Sequence, residues 1–307
     1  MTSNVGIMER NTLKSDNYNE ISDIENSTFL FKFKNNTLDL SKKTHLMGIL
    51  NITPDSFSDG NEFKTVDEYL FRIEEMLDQG ADIIDLGAES TRPGSMPVTA
   101  DEELERLIPV LEKAVSRFET VFSVDTTKSV VAKQALQCGV SIINDISGLR
   151  FDPDIAKYVA HYDAGIVLMH TPGRPEVMQD LTEYSSVMPE IINSLEGSIL
   201  RAENFGVNFE NIVIDPGIGF GKTVEQNLEI IRNLKDLLVL RRPVLIGTSR
   251  KSFIGKLLED DNVDNRIEGS SASVTASILN GASIVRVHDI NEMKKIIKIT
   301  DAIHGKN

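Results

Sequence analysis

Apolar and polar positions along the chain fall into blocks, and the blocks repeat. Eight short apolar runs each end on a polar residue or a glycine-rich turn: LMGILN (46–51), DIIDLG (82–87), VFSVD (121–125), SIIND (141–145), GIVLMH (165–170), NIVID (211–215), PVLIGT (243–248) and SIVRVH (283–288). Their richness in Ile, Val and Leu is that of strands covered on both faces. Between them lie stretches with helical spacing, roughly 65–79, 100–118, 127–138, 153–162, 183–205, 224–238, 251–259 with 267–280, and 290–303. Strands alternating with helices predict parallel strands joined by crossovers. Eight such units predict an α/β fold, a TIM-type (β/α)8 barrel. Residues 28–41 alternate around Asn35-Asn36, which predicts a short N-terminal hairpin closing the lower end of the barrel. Residues 1–27 are polar and without period, and predict a flexible N-terminal extension; residues 28–307 then form one barrel domain.

The polar residues at the carboxyl ends of the runs are Asn51, Asp85, Asp125, Asn144, His170, Asp215, Thr248, Arg286 and His288. In a β/α barrel these ends converge on one rim, where such folds place their chemistry.

Composition narrows the setting. Acidic residues number 47 against 32 basic, a net charge of −15, which argues against nucleic-acid binding. It leaves room for an anionic substrate, because a few basic side chains on one rim make a local positive field. No run approaches the roughly 18 apolar residues of a membrane span. The first residues lack the basic-then-apolar layout of a signal peptide. The single cysteine, Cys138, excludes an internal disulfide and reads as core packing. A cytoplasmic protein is expected.

Individual motifs sharpen the chemistry. Asn51 opens the loop NITPDSFSDG (51–60); its amide oxygen could ligate a hard cation, and Phe57 could serve as a ligand contact or lid. In Gly87–Gly94, Arg92 between Thr91 and Pro93 is either a phosphate-binding fork or a solvated arginine. Asp125, Asn144, Asp215 and Lys251 follow inner strands. Buried charges are costly unless paired, so these four are either a hydrogen-bonding socket for a flat nitrogen heterocycle or internal salt bridges. DPGIGFGKT (215–223) fails as a phosphate loop, since only three residues separate Gly217 from Gly221. Its glycines instead let backbone pass close to a ligand beside Asp215. Ser252 opens a helix whose start could hold a carboxylate. Arg286 and His288 alternate on the last strand and point the same way, either as a diphosphate clamp or with a core histidine. His170 is open between lining and structural roles; His45 and His161 read as structural or exposed.

The segments NITPDSFSDG (51–60), ESTRPGS (89–95), SVDTTK (123–128), NDISG (144–148), DPGIGFGK (215–222), TSRKSF (248–253) and RVHD (286–289) together closely resemble the dihydropteroate synthase family of folate biosynthesis. One departure is Thr171-Pro172 after His170, where the family often has Met and a polar residue. The resemblance implies condensation of 6-hydroxymethyl-7,8-dihydropterin diphosphate with p-aminobenzoate, releasing diphosphate. It implies that Asp125, Asn144, Asp215 and Lys251 hold the pterin. Arg286 would stack on the pterin and, with His288 and Asn51, bind diphosphate and Mg²⁺, Asn51 being the metal ligand. Phe57, Pro93 and Ser252 would shape the p-aminobenzoate pocket, where sulfonamides compete, and Thr91 and Arg92 would belong to a mobile second loop. A homodimer is the family expectation. Asn51, Lys251, Arg286 and His288 are the catalytic candidates. Two rivals remain: a pterin-binding methyltransferase domain, which has no use for a diphosphate clamp, and a non-catalytic pterin-binding barrel.

Overall fold

The structure is a computed structural model that describes residues 29–53, 65–90 and 95–306. The expected extension, residues 1–27, lies outside the described residues. Two strands, β1 (Leu30–Phe33) and β2 (Asn36–Asp39), form an antiparallel hairpin. Eight parallel strands follow: β3 (His45–Asn51), β4 (Ile83–Gly87), β5 (Val121–Asp125), β6 (Ile142–Asp145), β7 (Gly165–Met169), β8 (Ile212–Asp215), β9 (Val244–Ile246) and β10 (Ala282–Val287). They pair in chain order, and β10 closes on β3 to make a barrel.

The helices are α1 (Val66–Gln79), α2 (Ala100–Arg117), α3 (Ser129–Cys138), α4 (Asp154–His161), α5 (Val187–Asn204), α6 (Val224–Arg232), α7 (Ser252–Leu258), α8 (Ile267–Leu279) and α9 (Ile290–His304). Their starts follow capping chemistry. Thr65 with Glu68 and Thr223 with Gln226 form reciprocal capping boxes, and the Thr99 hydroxyl accepts from the Glu102 N–H. Two helices depart from the sequence expectation. Chain expected to be helical from 183 begins its helix only at Val187, because Glu190 caps the N–H groups of Ser185 and Ser186. The expected helix 224–238 breaks at Asn233 into a 3-10 turn over Leu234–Leu240.

The inside of the barrel is layered by the period-two alternation of its strands. One inward residue per strand makes the lowest layer: Met47, Ile83, Val121, Ile142, Val167, Val213, Leu245 and Ile284. Phe31, Phe33 and Leu40 of the hairpin segment pack onto this layer and are almost wholly buried. Gly165 admits the Phe31 ring, since a Cβ there would lie 2.5 Å from Phe31 Cζ. The hairpin is therefore the plug that the sequence predicts. Its turn differs by one residue: Phe33 pairs with Asn36, so Lys34 and Asn35 make the turn. Lys34 takes the left-handed conformation (φ 52°) and is tied down through its N–H to the Asp163 carbonyl, 2.5 Å.

Candidate active site

Two residues further along, the inward position changes character on five of the eight strands. Above the apolar floor stand Asp85 (after Ile83), Ser123 (after Val121), Asn144 (after Ile142), Asp215 (after Val213) and Arg286 (after Ile284). One more step up bring Asn51, Asp125 and His288. The fold thus needs no special device to gather these groups at one mouth; strand alternation and parallel register do it.

Arg286 organises the mouth. Its Nε donates to Asp85 Oδ2 at 2.6 Å, and a terminal nitrogen donates to Asp125 Oδ2 at 3.0 Å. Asn144 Nδ2 donates to the same Asp85 oxygen at 3.1 Å. Burial favours the neutral guanidine, but Asp85 and Asp125 outweigh it and hold Arg286 above its ordinary pKa. The Asp125 carboxyl is pushed up to about 7 by burial; Arg286 opposes this and Asp85 adds to it. Of Asp125, Asn144, Asp215 and Lys251, only Asp125 is in an ion pair among the described residues, and its partner is Arg286. A desolvated arginine held by two carboxylates is a fixed plane, and its face and outer edge remain for a ligand.

Asp215 stands across the barrel. Its Oδ1 accepts the Gly217 N–H at 2.7 Å. Burial pushes its carboxyl up to about 6, against the pull of Gly217, Lys251 and Lys222. Lys251 Nζ lies 4.3 Å above the centre of the Phe220 ring, and burial brings its ammonium down to about 8. A half-buried cation on an aromatic face, beside an ionisable carboxylate, is poised to donate to a ring nitrogen or carbonyl.

His288 follows β10 at the mouth. Burial, with Arg286 and Arg250 nearby, lowers its pKa to about 3, so the imidazole is neutral. Ser249 Oγ accepts the His288 backbone N–H at 3.3 Å and lies 3.2 Å from Nδ1. A Ser249 hydroxyl that donates to Nδ1 leaves the ring proton on Nε2. His288 thus offers an N–H donor to an anion rather than a full charge. Asn51 ends β3 and is half-buried; Ser252 is exposed in the first turn of α7. Phe57, Thr91, Arg92 and Pro93 lie outside the described residues.

Three features escaped the sequence reading. Asp85, fully buried, is the hub that joins Arg286 and Asn144. Lys128 binds Glu89 (2.7 Å) and the buried Glu103 (2.6 Å), tying the stem after β4 to α2. Lys222, buried, donates to His170 Nδ1 (3.1 Å) and to the carbonyls of Gly217 (2.9 Å) and Phe220 (3.0 Å), so His170 is structural. The glycines of this loop make room for the neighbouring segment at residues 170–172. A Cβ at Gly217 (φ 72°) would strike the His170 carbonyl oxygen at 1.9 Å. One at Gly221 (φ 59°) would strike Pro172 at 2.2 Å, so the Thr171-Pro172 departure is seated directly on this loop.

Among known proteins, the model of the family described as pterin binding enzyme matches residues 47–288. Dihydropteroate synthase of Synechocystis sp. is 45% identical over 265 residues, covering 86% of this chain and 92% of that protein. The crystal structure of dihydropteroate synthase from Clostridium difficile in the presence of pteroic acid superposes with a TM-score of 0.81 at 47% identity, covering 87% of this chain and 98% of that one. The enzyme from Thermus thermophilus in complex with 4-aminobenzoate gives 0.80 at 38% identity, with coverage of 89% and 99%.

Proposed function

The chain belongs to the pterin binding enzymes and, within them, to the dihydropteroate synthases, transferases of folate biosynthesis; from this premise we propose how its residues run the reaction. It joins 6-hydroxymethyl-7,8-dihydropterin diphosphate to p-aminobenzoate. The amine nitrogen bonds to the exocyclic methylene carbon, the bond from that carbon to the diphosphate oxygen breaks, diphosphate leaves with the bonding pair, and the amine loses a proton. No side-chain nucleophile is required.

The observation that carries this reading is the mouth itself: Asp85, Asp125, Asn144, Asp215, Lys251 and Arg286 on six different strands or strand ends, all aimed at one space. Asp215 in its ionised form accepts the guanidine-like edge of the pterin. Asn144 and Lys251 serve the remaining ring nitrogens and carbonyl. Arg286, locked by Asp85 and Asp125, stacks on the pterin and presents its edge to the diphosphate. His288 donates Nε2–H to the same anion. Such fixed donors stabilise charge as it develops on the leaving group. A pterin held by anionic Asp215 also supports positive character on the methylene carbon.

Mg²⁺ fits a limited role. Among the described residues no cluster of three His, Cys, Asp or Glu could hold a metal. A lone amide oxygen at Asn51 suits a Mg²⁺ carried mostly by substrate phosphates and water. Mg²⁺ when bound would help neutralise the diphosphate. We assign p-aminobenzoate to the side of Ser252, with Phe57, Thr91, Arg92 and Pro93 completing that pocket by resemblance. No helix among the described residues is long and apolar enough to cross a membrane; we place the enzyme in the cytoplasm as a homodimer. The test is diphosphate release measured by a coupled assay. Release that needs both substrates supports the reading, and no release with both present, or release with the pterin alone, overturns it.

A further inference from the structure

Among the described residues no carboxylate is bonded to the buried cation Lys222. Its three N–H groups go to neutral acceptors: His170 Nδ1, the Gly217 carbonyl and the Phe220 carbonyl. A desolvated ammonium is costly, so something must offset it. The anion that faces it is Asp215, five strand-loop residues upstream of Phe220. The geometry ties the two together. Lys222 holds the Gly217 carbonyl, and the Gly217 N–H holds Asp215 Oδ1 at 2.7 Å. His170, whose ring binds Lys222, also donates its backbone N–H to the Asp215 carbonyl at 2.9 Å. The circuit runs from Asp215 through Gly217 and Lys222 to His170 and back.

We propose that Lys222 is a positioning residue of the reaction: through Gly217 it aims the Asp215 carboxylate, and through its charge it keeps that carboxylate ionised for the pterin. The inference rests on the pterin reading of Asp215. A lysine that merely braced the loop would be replaceable by any group of similar length with donors. A lysine that tunes Asp215 must carry its charge. Other charges face the pair: Lys251 and Arg286 act on Asp215, while Lys251 and Arg150 act on Lys222. None of these would change with Lys222. Burial brings Lys222 down to about 7, so most of it is cationic near pH 6, where Asp215 titrates.

The experiment is calorimetric binding of 6-hydroxymethylpterin between pH 5 and 8 by the full chain and its Lys222→Met, Lys222→Gln and Lys222→Arg variants, each checked for folding by circular dichroism. The parent should lose affinity as pH falls through the Asp215 titration. Removing the cation should move that acidic limb up by about one pH unit, an added loss of about tenfold on the limb. Lys222→Arg should keep the limb where the parent has it. Lys222→Gln is one atom shorter but keeps two donors, so it carries the test if Lys222→Met does not fold. A limb unmoved in the neutral variants, with affinity lowered equally at every pH, would overturn the proposal and leave Lys222 a loop brace. A parent that does not bind the pterin would sink the reading of the site itself.

Discussion

The two ends of the barrel are built on the same eight strands, two residues apart, and they solve opposite problems. At the amino-terminal end the inward side chains are Met47, Ile83, Val121, Ile142, Val167, Val213, Leu245 and Ile284, sealed by Phe31 and Phe33. At the carboxyl end the next inward positions carry Asp85, Asn144, Asp215 and Arg286. The floor gains from removing apolar surface from water, in proportion to area and without direction. The mouth pays desolvation on three charged groups and an amide and recovers it only through directed bonds. The floor should therefore govern stability and the mouth binding, with one residue between them governing both.

That residue is Asp85, fully buried and bonded to Arg286 and Asn144. Asp85→Ala leaves a desolvated guanidinium with half its carboxylate support. Removing one partner of a buried pair costs about 3–5 kcal/mol. The variant should melt markedly earlier and also lose measurable pterin affinity; a folded variant with parental affinity would show that Asp125 alone suffices to hold Arg286. Phe31→Ala tests the other side of the contrast. It opens a cavity under the floor and should cost about 3–5 kcal/mol in denaturant unfolding. Pterin Kd in the folded variant should not change, and a weakening of tenfold would mean that floor and mouth are not separable.

Asp215→Asn reverses the pattern. The amide keeps an acceptor for the Gly217 N–H, so stability should hold. Loss of the charge-assisted bonds to the pterin should cost about 1.5–3 kcal/mol of affinity. Calorimetry with 6-hydroxymethylpterin reads this directly, and unchanged affinity would remove Asp215 from the socket.

How much of this contrast was legible in the sequence depended on whether the signal was local. Asn144, Asp215 and Arg286 each sit an even step from an apolar inward residue, so one strand suffices to aim them. Helix starts were legible where a capping box stood in four residues, as at Thr65 and Thr223. Asp85 was visible as a polar strand residue, but its role comes from Arg286, 201 residues away. Lys222 was read only as the end of a failed phosphate motif, because its partner His170 lies 52 residues back. The neutral state of His288 likewise comes from burial beside Arg286 and Arg250, which no spacing reveals. The hairpin turn slipped by one residue because Asn35 and Asn36 are equally good turn formers, and pairing with Phe33 decided between them.

The finest test of the contrast is pH, because only the mouth titrates. Asp125 is raised to about 7 and Asp215 to about 6, both chiefly by burial. A carboxyl whose folded pKa lies above its unfolded one keeps its proton in the native state over a range where the unfolded chain has released it. Its contribution to stability is present at low pH and falls as pH rises through the folded value. For these two groups the window runs from about 4 to about 7. Exposed carboxyls with lowered pKa, such as Asp39, held down chiefly by Ser41, push the other way, so the raw melting curve mixes both signs. The difference between the parent and Asp125→Asn isolates the mouth: the parent should lose stability relative to the variant as pH climbs from 5 to 8. Over the same span pterin affinity should rise, because binding uses ionised Asp215. Phe31→Ala should lower the melting temperature by a constant amount across the whole range, its site holding no titrating group. Parallel curves for parent and Asp125→Asn would show that Asp125 is already ionised at pH 5, and that Arg286 offsets its burial in full.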